Sequence, residues 1–344
     1  MRGLLHKKGI QLSFKTYFID AMSFMALGLF ASLIIGLIIQ TAADQLMLVF
    51  EQNRLLTDLQ ELGQLTMSLM GPAIGVAVAY SLKAPKLVLF AAVVSGAAGA
   101  TLGGPAGSLI AAIISTEIGK LVSGETKLDM IITPFVTITT GFITASFIGP
   151  WIQSGLQSIG TVIVWATEQQ PIIMGVLVAT IMGLALTAPI SSAALAIMLE
   201  IEGIAAGAAT IGCAAQMVGF AVSSYRDNGL SGLVSQGLGT SMLQMPNIIK
   251  NPIILIPPTV AGMVLAPIGI HLFGMVNNAA GAGMGTSGLV GPIMMLSEMG
   301  FNQETFISIF IFLIVAPAFI SLILSEWLRK IGKIKAGDMK IQQE

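Results

Sequence analysis

Apolar runs of membrane-spanning length alternate with short polar connectors along most of the chain. The first run covers residues 17–40, and further apolar segments lie at 65–82, 87–102, 107–122, 130–149, 158–168, 171–188, 192–200, 204–223, 252–273, 289–297 and 304–328. A helix needs about 20 apolar residues to cross the hydrocarbon layer. The longer runs therefore predict spanning helices. The shortest ones, such as 192–200 and 289–297, predict half-helices or re-entrant hairpins covered by protein or by a water-filled cavity.

One stretch, residues 41–64, is more polar than the rest but keeps apolar residues at periodic positions. It contains Asp44, Glu51, Arg54, Asp58 and Glu61 among leucines and a phenylalanine. Charged and apolar residues at helical spacing predict an amphipathic helix lying in the membrane interface.

The composition confines the chain to the membrane class. Hydrophobic residues make up 55% of the 344 positions and charged residues only 10%, whereas a soluble domain averages about 25% charged residues. The net charge of −1 argues against a nucleic-acid partner. One cysteine, Cys213, excludes an internal disulfide and a cysteine-rich metal site, and two histidines disfavour zinc. No cofactor or metal is predicted, and no motif of an intramembrane enzyme is present.

The sequence thus predicts an all-α, polytopic transmembrane bundle with broken helices. Basic residues cluster before the first span and after the last one, so both ends are expected in the cytoplasm. An even number of crossings follows, and the segment count suggests about eight to ten. Residues 1–16 are then a cytoplasmic segment, 17–330 a single transmembrane domain and 331–344 a cytoplasmic tail.

An internal repeat relates two of the predicted breaks. Pro105 and Ser108 precede an apolar run ending at Gly119, and the same pattern recurs at Pro189, Ser192 and Gly203 with an offset of 84 residues. Coincidence in a glycine- and alanine-rich chain is one explanation. The other is a repeated unit of spanning helix, proline break and half-helix, which is how secondary transporters build a binding site near the membrane midplane.

Hydroxyl groups concentrate at the second break. Thr187, Ser191 and Ser192 flank Pro189 between two long apolar runs, and Ser108 is the counterpart of Ser192 in the first repeat. These side chains are candidate solute contacts. Capping of the following helix is the alternative role for Ser191 or Ser192.

Carboxylates follow each repeat. Glu200 and Glu202 come just before Gly203, and Glu117 comes just before Gly119. A carboxylate at bilayer depth is costly and usually faces a cavity, a partner or an ion path. The three residues are therefore candidate solute ligands. The alternative is a location at a helix end among the lipid headgroups.

A glycine-rich stretch at 276–288 carries further polar candidates. Asn277, Asn278, Thr286 and Ser287 lie in it, and the spacing is not that of a phosphate-binding loop because no Gly-Lys-Ser/Thr follows. It predicts a re-entrant tip with close backbone approach, with a flexible external loop as the alternative. The remaining candidates, each with packing as the simpler role, are Gln216 and His271.

The motifs TAPISSAALAIMLEIEG at 187–203, GGPAGSLIAAII at 103–114 and NNAAGAGMGTSGLVGP at 277–292 resemble the membrane EIIC component of the bacterial phosphotransferase system, and more narrowly its type 2, perfringolysin-regulator-like branch. The resemblance implies a homodimeric domain that carries sugars by an elevator-like movement, with a separate IIB protein phosphorylating the sugar. It also implies a Glu and a His near the sugar, for which Glu200 or Glu202 and His271 are candidates.

The sequence is compatible with two functions from different classes. The first is transport of a small polar solute, most simply a sugar or a related carbohydrate or carboxylate, by an EIIC-like mechanism. The second is a membrane-embedded sensor or regulator that binds a ligand without net transport.

Overall fold

The computed structural model describes residues 8–10, 12–49 and 54–341. Helix accounts for 83% of the structure, and the described residues contain no β-strand, only an isolated bridge between Gly203 and Asn277. The predicted all-α class is confirmed. The chain divides into two compact units, Met1–Gly155 and Leu156–Glu344. The predicted terminal segments fall partly outside the described residues, at 1–7, 11 and 342–344.

The first unit contains α1 (Lys15–Met47), α2 (Arg54–Ser68), α3 (Met70–Ser81), α4 (Lys86–Val122) and most of α5 (Asp129–Thr167). Helices α2 and α3 form a pair bent by 47°. The amphipathic stretch predicted at 41–64 is divided, because residues 41–49 belong to the same helix as α1 and residues 54–64 belong to α2; residues 50–53 lie outside the described part. In α2, Leu56 and Gly63 are buried while Leu55 and Leu62 are exposed.

Helix α4 is folded back on itself. Gly103 and Gly104 have non-helical dihedral angles, and Gly104 adopts φ 59° and ψ −151°, a conformation open to glycine. A Cβ atom added to Gly99 would lie 2.6 Å from Cα of Ser108, although nine residues of straight helix span about 13 Å. Near the ends, a Cβ on Gly119 would lie 2.9 Å from Cγ1 of Val88. The element is a hairpin of two antiparallel arms, as the separate apolar runs at 87–102 and 107–122 predict.

The second unit contains three described helices of spanning length, one of them central and buried, and several shorter ones. Its helices are α6 (Pro171–Thr187), α7 (Ser192–Met198), α8 (Gly203–Ser223), α9 (Tyr225–Val234), α10 (Met245–Lys250), α11 (Pro252–Leu272), α12 (Ala279–Ala282), α13 (Val290–Met299) and α14 (Gln303–Lys330). Helix α8 is central, and 89% of its most apolar window is buried. It packs against α6, α11 and α14, and its small residues permit this: a Cβ on Gly212 would collide with the backbone carbonyl of Ala179 in α6.

Length and composition identify six described helices that could cross a membrane, or seven if α2 and α3 count as one span. The sequence predicts about eight to ten crossings because each arm of α4 is a separate apolar run, and because α5 contains two runs, 130–149 and 158–168. The run that forms α6, which has 17 residues, adds one more. How many segments cross the bilayer stays a prediction.

The structure contains a helix break at each of the two prolines predicted from the repeat, but the helices that follow the two breaks differ in length. After Pro105 the second arm of α4 runs on through Glu117 and Gly119 to Val122. After Pro189 the return helix α7 has only seven residues, and Gly203 (φ 62°) begins a new helix. Gly119 instead provides close packing against Val88 and Thr137, so Glu117 lies within a helix and not at its end.

Candidate functional site

The second proline break places hydroxyl groups inside the second unit. Helix α6 ends at Thr187, Ala188 is extended, and Ser191 caps α7 by accepting a hydrogen bond from the amide of Ala194 at 3.3 Å. The predicted capping role is thus confirmed for Ser191. Thr187 and Ser192 are buried. The Thr187 hydroxyl lies 2.8 Å from that of Ser241, and Ser192 donates to the carbonyl of Gly283 at 2.6 Å.

The turn after α7 carries the two glutamates. It runs from Leu199 to Gly203, and Glu200 adopts φ 48° within it. A left-handed conformation costs a non-glycine residue roughly 1–2 kcal/mol, so the surrounding structure must hold Glu200 there. Both Glu200 and Glu202 are exposed. The Gly203 carbonyl accepts a hydrogen bond from the amide of Asn277 at 3.1 Å, which ties the turn to the glycine-rich loop.

The turn forms one wall of a pocket of about 390 Å³, within the size range of small-molecule sites. The polar residues lining it are Thr167, Gln169, Glu200 and Glu202, and its apolar wall includes Ile163, Met174 and Ile204. The start of α6 and the end of α7 thus lie close together, so the chain reverses direction at the second break. Two carboxylates, one amide and one hydroxyl can accept or donate hydrogen bonds around a single small solute, and bonds to a charged acceptor are the stronger ones.

Asn277 holds the glycine-rich loop in place. Its side chain is 1% exposed and donates to the Thr210 hydroxyl at 2.8 Å and to the Gly291 carbonyl at 3.1 Å, while its Oδ1 accepts from the amide of Asn278 at 2.9 Å. Its side chain thus joins the loop to α8 and to the start of α13, and its backbone amide joins it to the glutamate turn. Its neighbour Asn278 caps α12 and donates to Glu298 at 3.0 Å.

The tip of the loop is buried as well. Thr286 donates to the carbonyl of Gly237 at 2.5 Å, and Ser287 donates to the carbonyl of Gly239 at 2.8 Å. Both hydroxyls therefore anchor the loop to the segment between α9 and α10, and both side chains are at most 3% exposed. A buried, hydrogen-bonded loop agrees with the predicted re-entrant tip and not with a flexible external loop.

The other candidates lie elsewhere. Gln216 of α8 donates to Thr259 at 2.8 Å, and its Oε1 is buried without a partner among the described residues. His271 is exposed in the last turn of α11 and does not line the pocket. In the first unit, Ser108 donates to the Gly71 carbonyl at 3.2 Å. Glu117 pairs with Lys120 at 3.3 Å and accepts from Tyr17 at 3.1 Å.

Seven of the predicted residues of the second unit therefore fall into two groups around the pocket and the loop. Glu200 and Glu202 share the pocket, and Thr187, Ser192, Asn277, Thr286 and Ser287 support the loop and the break beside it. Whether any of them contacts a solute stays a prediction.

The polar segment at 224–251 is not among the sites that the sequence patterns predict. Ser241 of this segment is the partner of Thr187, and Gln236, Gln244 and Asn247 are buried in it. A run of amides in a chain with only 10% charged residues was the available signal, because buried amides imply a hydrogen-bonded network. The predicted sites do not include the buried Lys120 either.

Comparison with known proteins agrees with this architecture at the level of the family. No curated protein and no solved structure gives a match. A protein-family model described as "Phosphotransferase system, EIIC" matches residues 19–341, nearly the whole chain. The chain, with its broken helices and re-entrant loop, therefore belongs to the EIIC family of the phosphotransferase system.

Proposed function

We propose that the protein transports a small, neutral, polyhydroxylated solute, such as a sugar or a polyol, and binds it in the pocket beside Glu200 and Glu202. The observation that supports this most is the pair of exposed carboxylates on one strained turn, facing a pocket in a membrane unit of the EIIC family. Carboxylates accept hydrogen bonds from hydroxyl groups, and two of them would repel an anionic solute. Of the solutes expected from the sequence, the carbohydrate is therefore favoured over the carboxylate.

The broken helices supply the proposed means of movement. The turn with both glutamates is attached to the glycine-rich loop through Gly203 and Asn277, so the two can move as one body. We include in the proposal an elevator-like displacement of this body, a homodimeric assembly and a separate IIB protein at the cytoplasmic side. These follow from the family and not from contacts in the structure.

Binding can be tested on the purified protein by thermal unfolding in the presence of neutral sugars, polyols and sugar acids. A bound ligand raises the unfolding midpoint of the wild type. Replacing both carboxylates, by Glu200→Gln and Glu202→Gln, should raise the Kd of the stabilising compound at least about tenfold, since two charge-assisted hydrogen bonds are lost. The matched control is Glu304→Gln, which removes an exposed carboxylate far along the chain at the start of α14.

Stabilisation by sugar acids alone, or unchanged affinity in the double variant, would contradict the proposed solute class or site. Uptake of the same compound into proteoliposomes then separates transport from sensing. A protein that binds the compound but neither takes it up nor exchanges it would be a ligand sensor.

A further inference from the structure

The segment that follows the last helix folds back onto the second unit. Residues 331–341 form turns and not a helix. Ile334, Met339 and Ile341 are 2%, 0% and 6% exposed, and the first two pack in a cluster with Phe220 and Leu328. Lysines alternate with these apolar anchors and point outward, so the tail has one buried face. The sequence predicts a cytoplasmic tail at 331–344, and its described residues 331–341 pack against the folded unit.

Side-chain amides of the segment 228–251 bind the backbone of this tail. Asn228 and Gln244 both donate to the Met339 carbonyl at 2.8 Å. Asn247 donates to the Lys340 carbonyl at 3.0 Å, and Asn251 donates to the Lys333 carbonyl at 3.0 Å. We call this set of four amides the amide groove. It recognises the backbone of the tail, and the buried Met339 side chain fixes the register.

The tail's amide groups are paired in the same place. Asn228 accepts from the amide of Ile341 at 2.9 Å, and Asp227 accepts from the amide of Gly337 at 2.9 Å. Asp227 also forms an ion pair with Arg329 at 3.3 Å, in which the side chains are 7% and 11% exposed. Both faces of the tail backbone are therefore bound by side chains of the unit, which defines one docked conformation.

The amide groove continues inward to the glycine-rich loop. Gln244 donates to Gln236 at 2.9 Å, and Gln236 donates to Ser224 at 2.8 Å. Gln236 lies in the single π-helical turn Ser235–Gly239. The carbonyls of Gly237 and Gly239 in that turn are the acceptors for Thr286 and Ser287. A continuous series of hydrogen bonds and short backbone steps thus connects the tail to the loop within one unit.

We propose that residues 333–341 are a latch whose docking in the amide groove holds the turn 235–239, and through it the glycine-rich loop, in the structure seen here. Undocking the tail takes one carbonyl acceptor from each of Asn228, Gln244 and Asn247. Gln244 keeps Gln236 as a partner, and Asn247 keeps Gln244. Hydrogen bonds lost at the buried Gln244 and Asn247 are costly, so the segment opens to water when the tail leaves, and the loop loses its anchor. The inference needs no particular solute and stands apart from the proposed transport.

Hydrogen exchange of the full chain in detergent or nanodiscs tests the latch. Met339→Ser on the tail and Asn228→Ala on the groove should each speed exchange at least about tenfold at residues 232–247 and 284–289. Exchange in the first arm of α4, residues 88–99, should not change. The matched control is Lys340→Ser, which alters an exposed side chain next to Met339 and leaves the backbone contact in place.

Faster exchange confined to residues 331–341, or none at all, would overturn the latch. A chain ending at Gly332 gives a second test if a point variant is poorly folded. A synthetic peptide of residues 331–341, added to that truncated chain, should restore protection at 232–247, whereas the same peptide with Met339→Ser should not. Equal effects of the two peptides would contradict recognition through the buried methionine.

Discussion

At the scale of single residues, the pocket depends on a glutamate held in an unusual backbone conformation. Lys83, Glu200 and Leu289 are the described non-glycine residues with positive φ, at 56°, 48° and 61°. Such strain persists only where neighbouring contacts enforce it, and it often marks a functional position. Of these three residues, Glu200 lines the pocket. The strained backbone conformation therefore occurs at a proposed binding residue.

Glycine at this position should separate stability from binding. Glu200→Gly removes a left-handed strain of roughly 1–2 kcal/mol, offset in part by the greater freedom of glycine in the unfolded chain. The free energy of unfolding should therefore rise by about 0.5–1 kcal/mol, while affinity for the solute falls. Denaturant unfolding and ligand titration measure the two effects.

Lys83→Gly is the matched control for that substitution. It relieves a similar φ in the first unit, at a residue outside the pocket, so it should stabilise the protein to a similar extent and leave binding unchanged. A Glu200→Gly protein less stable than the wild type would show that the glutamate side chain contributes contacts that outweigh the strain.

Local contacts can be predicted from the sequence, whereas contacts between distant residues cannot. The cap at Ser191 is local, three residues from its donor, and the sequence pattern predicts a cap at Ser191 or Ser192. The role of Asn277 depends on Thr210 and Gly291, and these partners come together only in the folded chain. The sequence could therefore select Asn277 as an important polar residue but could not distinguish a structural anchor from a solute ligand.

At the scale of elements, proline and glycine breaks turn long apolar stretches into hairpins. The break at Gly103 and Gly104 reverses α4, and the break at 188–191 reverses the chain after α6. The repeat in the sequence predicted both positions. It could not predict that the first return arm is long and the second only seven residues, because similar local patterns end differently when Gly119 serves packing and Gly203 begins a helix.

A single methyl group can test the α4 hairpin. Gly99→Ala places Cβ 2.6 Å from Cα of Ser108 in the other arm, so we expect a loss of about 1–3 kcal/mol in stability from overpacking. Gly155→Ala is the control, since a Cβ there meets nothing within 4 Å, and alanine should raise stability by about 0.5–1 kcal/mol. If α4 were a straight helix, both substitutions would stabilise, and denaturant unfolding in detergent distinguishes the two cases by sign.

At the scale of the whole molecule, the family match and the apolar helices make this a multi-pass protein of the plasma membrane. Contacts within the first unit restrict its sidedness. Lys8 donates to the carbonyl of Ser123 at 2.7 Å and forms an ion pair with Glu125. The chain before α1 and the connector after α4 therefore lie on the same side of the membrane. An even number of crossings separates them, which fits α1 going across, the α2–α3 pair returning, and a hairpin that enters and leaves on one side.

Helix direction and charge together predict the side of the membrane on which each chain end lies. In the second unit, α6 and α8 run parallel, since Ala179 approaches Gly212 and Gly183, one turn later, approaches Gln216. Helix α14 also runs parallel to α8, because Gly219 approaches Ser321 and Arg329 binds Ser223. The chain thus leaves the unit on the side where α8 ends. The basic residues near 329–340 predict that this side is the cytoplasm. The separate basic cluster within residues 2–15 predicts the same side for the start of the chain.

We therefore expect a green fluorescent protein fused before residue 1, or after residue 344, to be fluorescent in cells, since that reporter folds in the cytoplasm. Alkaline phosphatase fused at the same two points should be inactive, because it needs an oxidising compartment to form its disulfides. Fusions in the connector at 168–170 provide the internal control and should give the opposite pair of results, since one helix, α5, separates it from the connector beside Lys8. Opposite results at the two ends would require an odd number of crossings, and would contradict the sidedness inferred from the Lys8 contacts and from the parallel course of α6, α8 and α14.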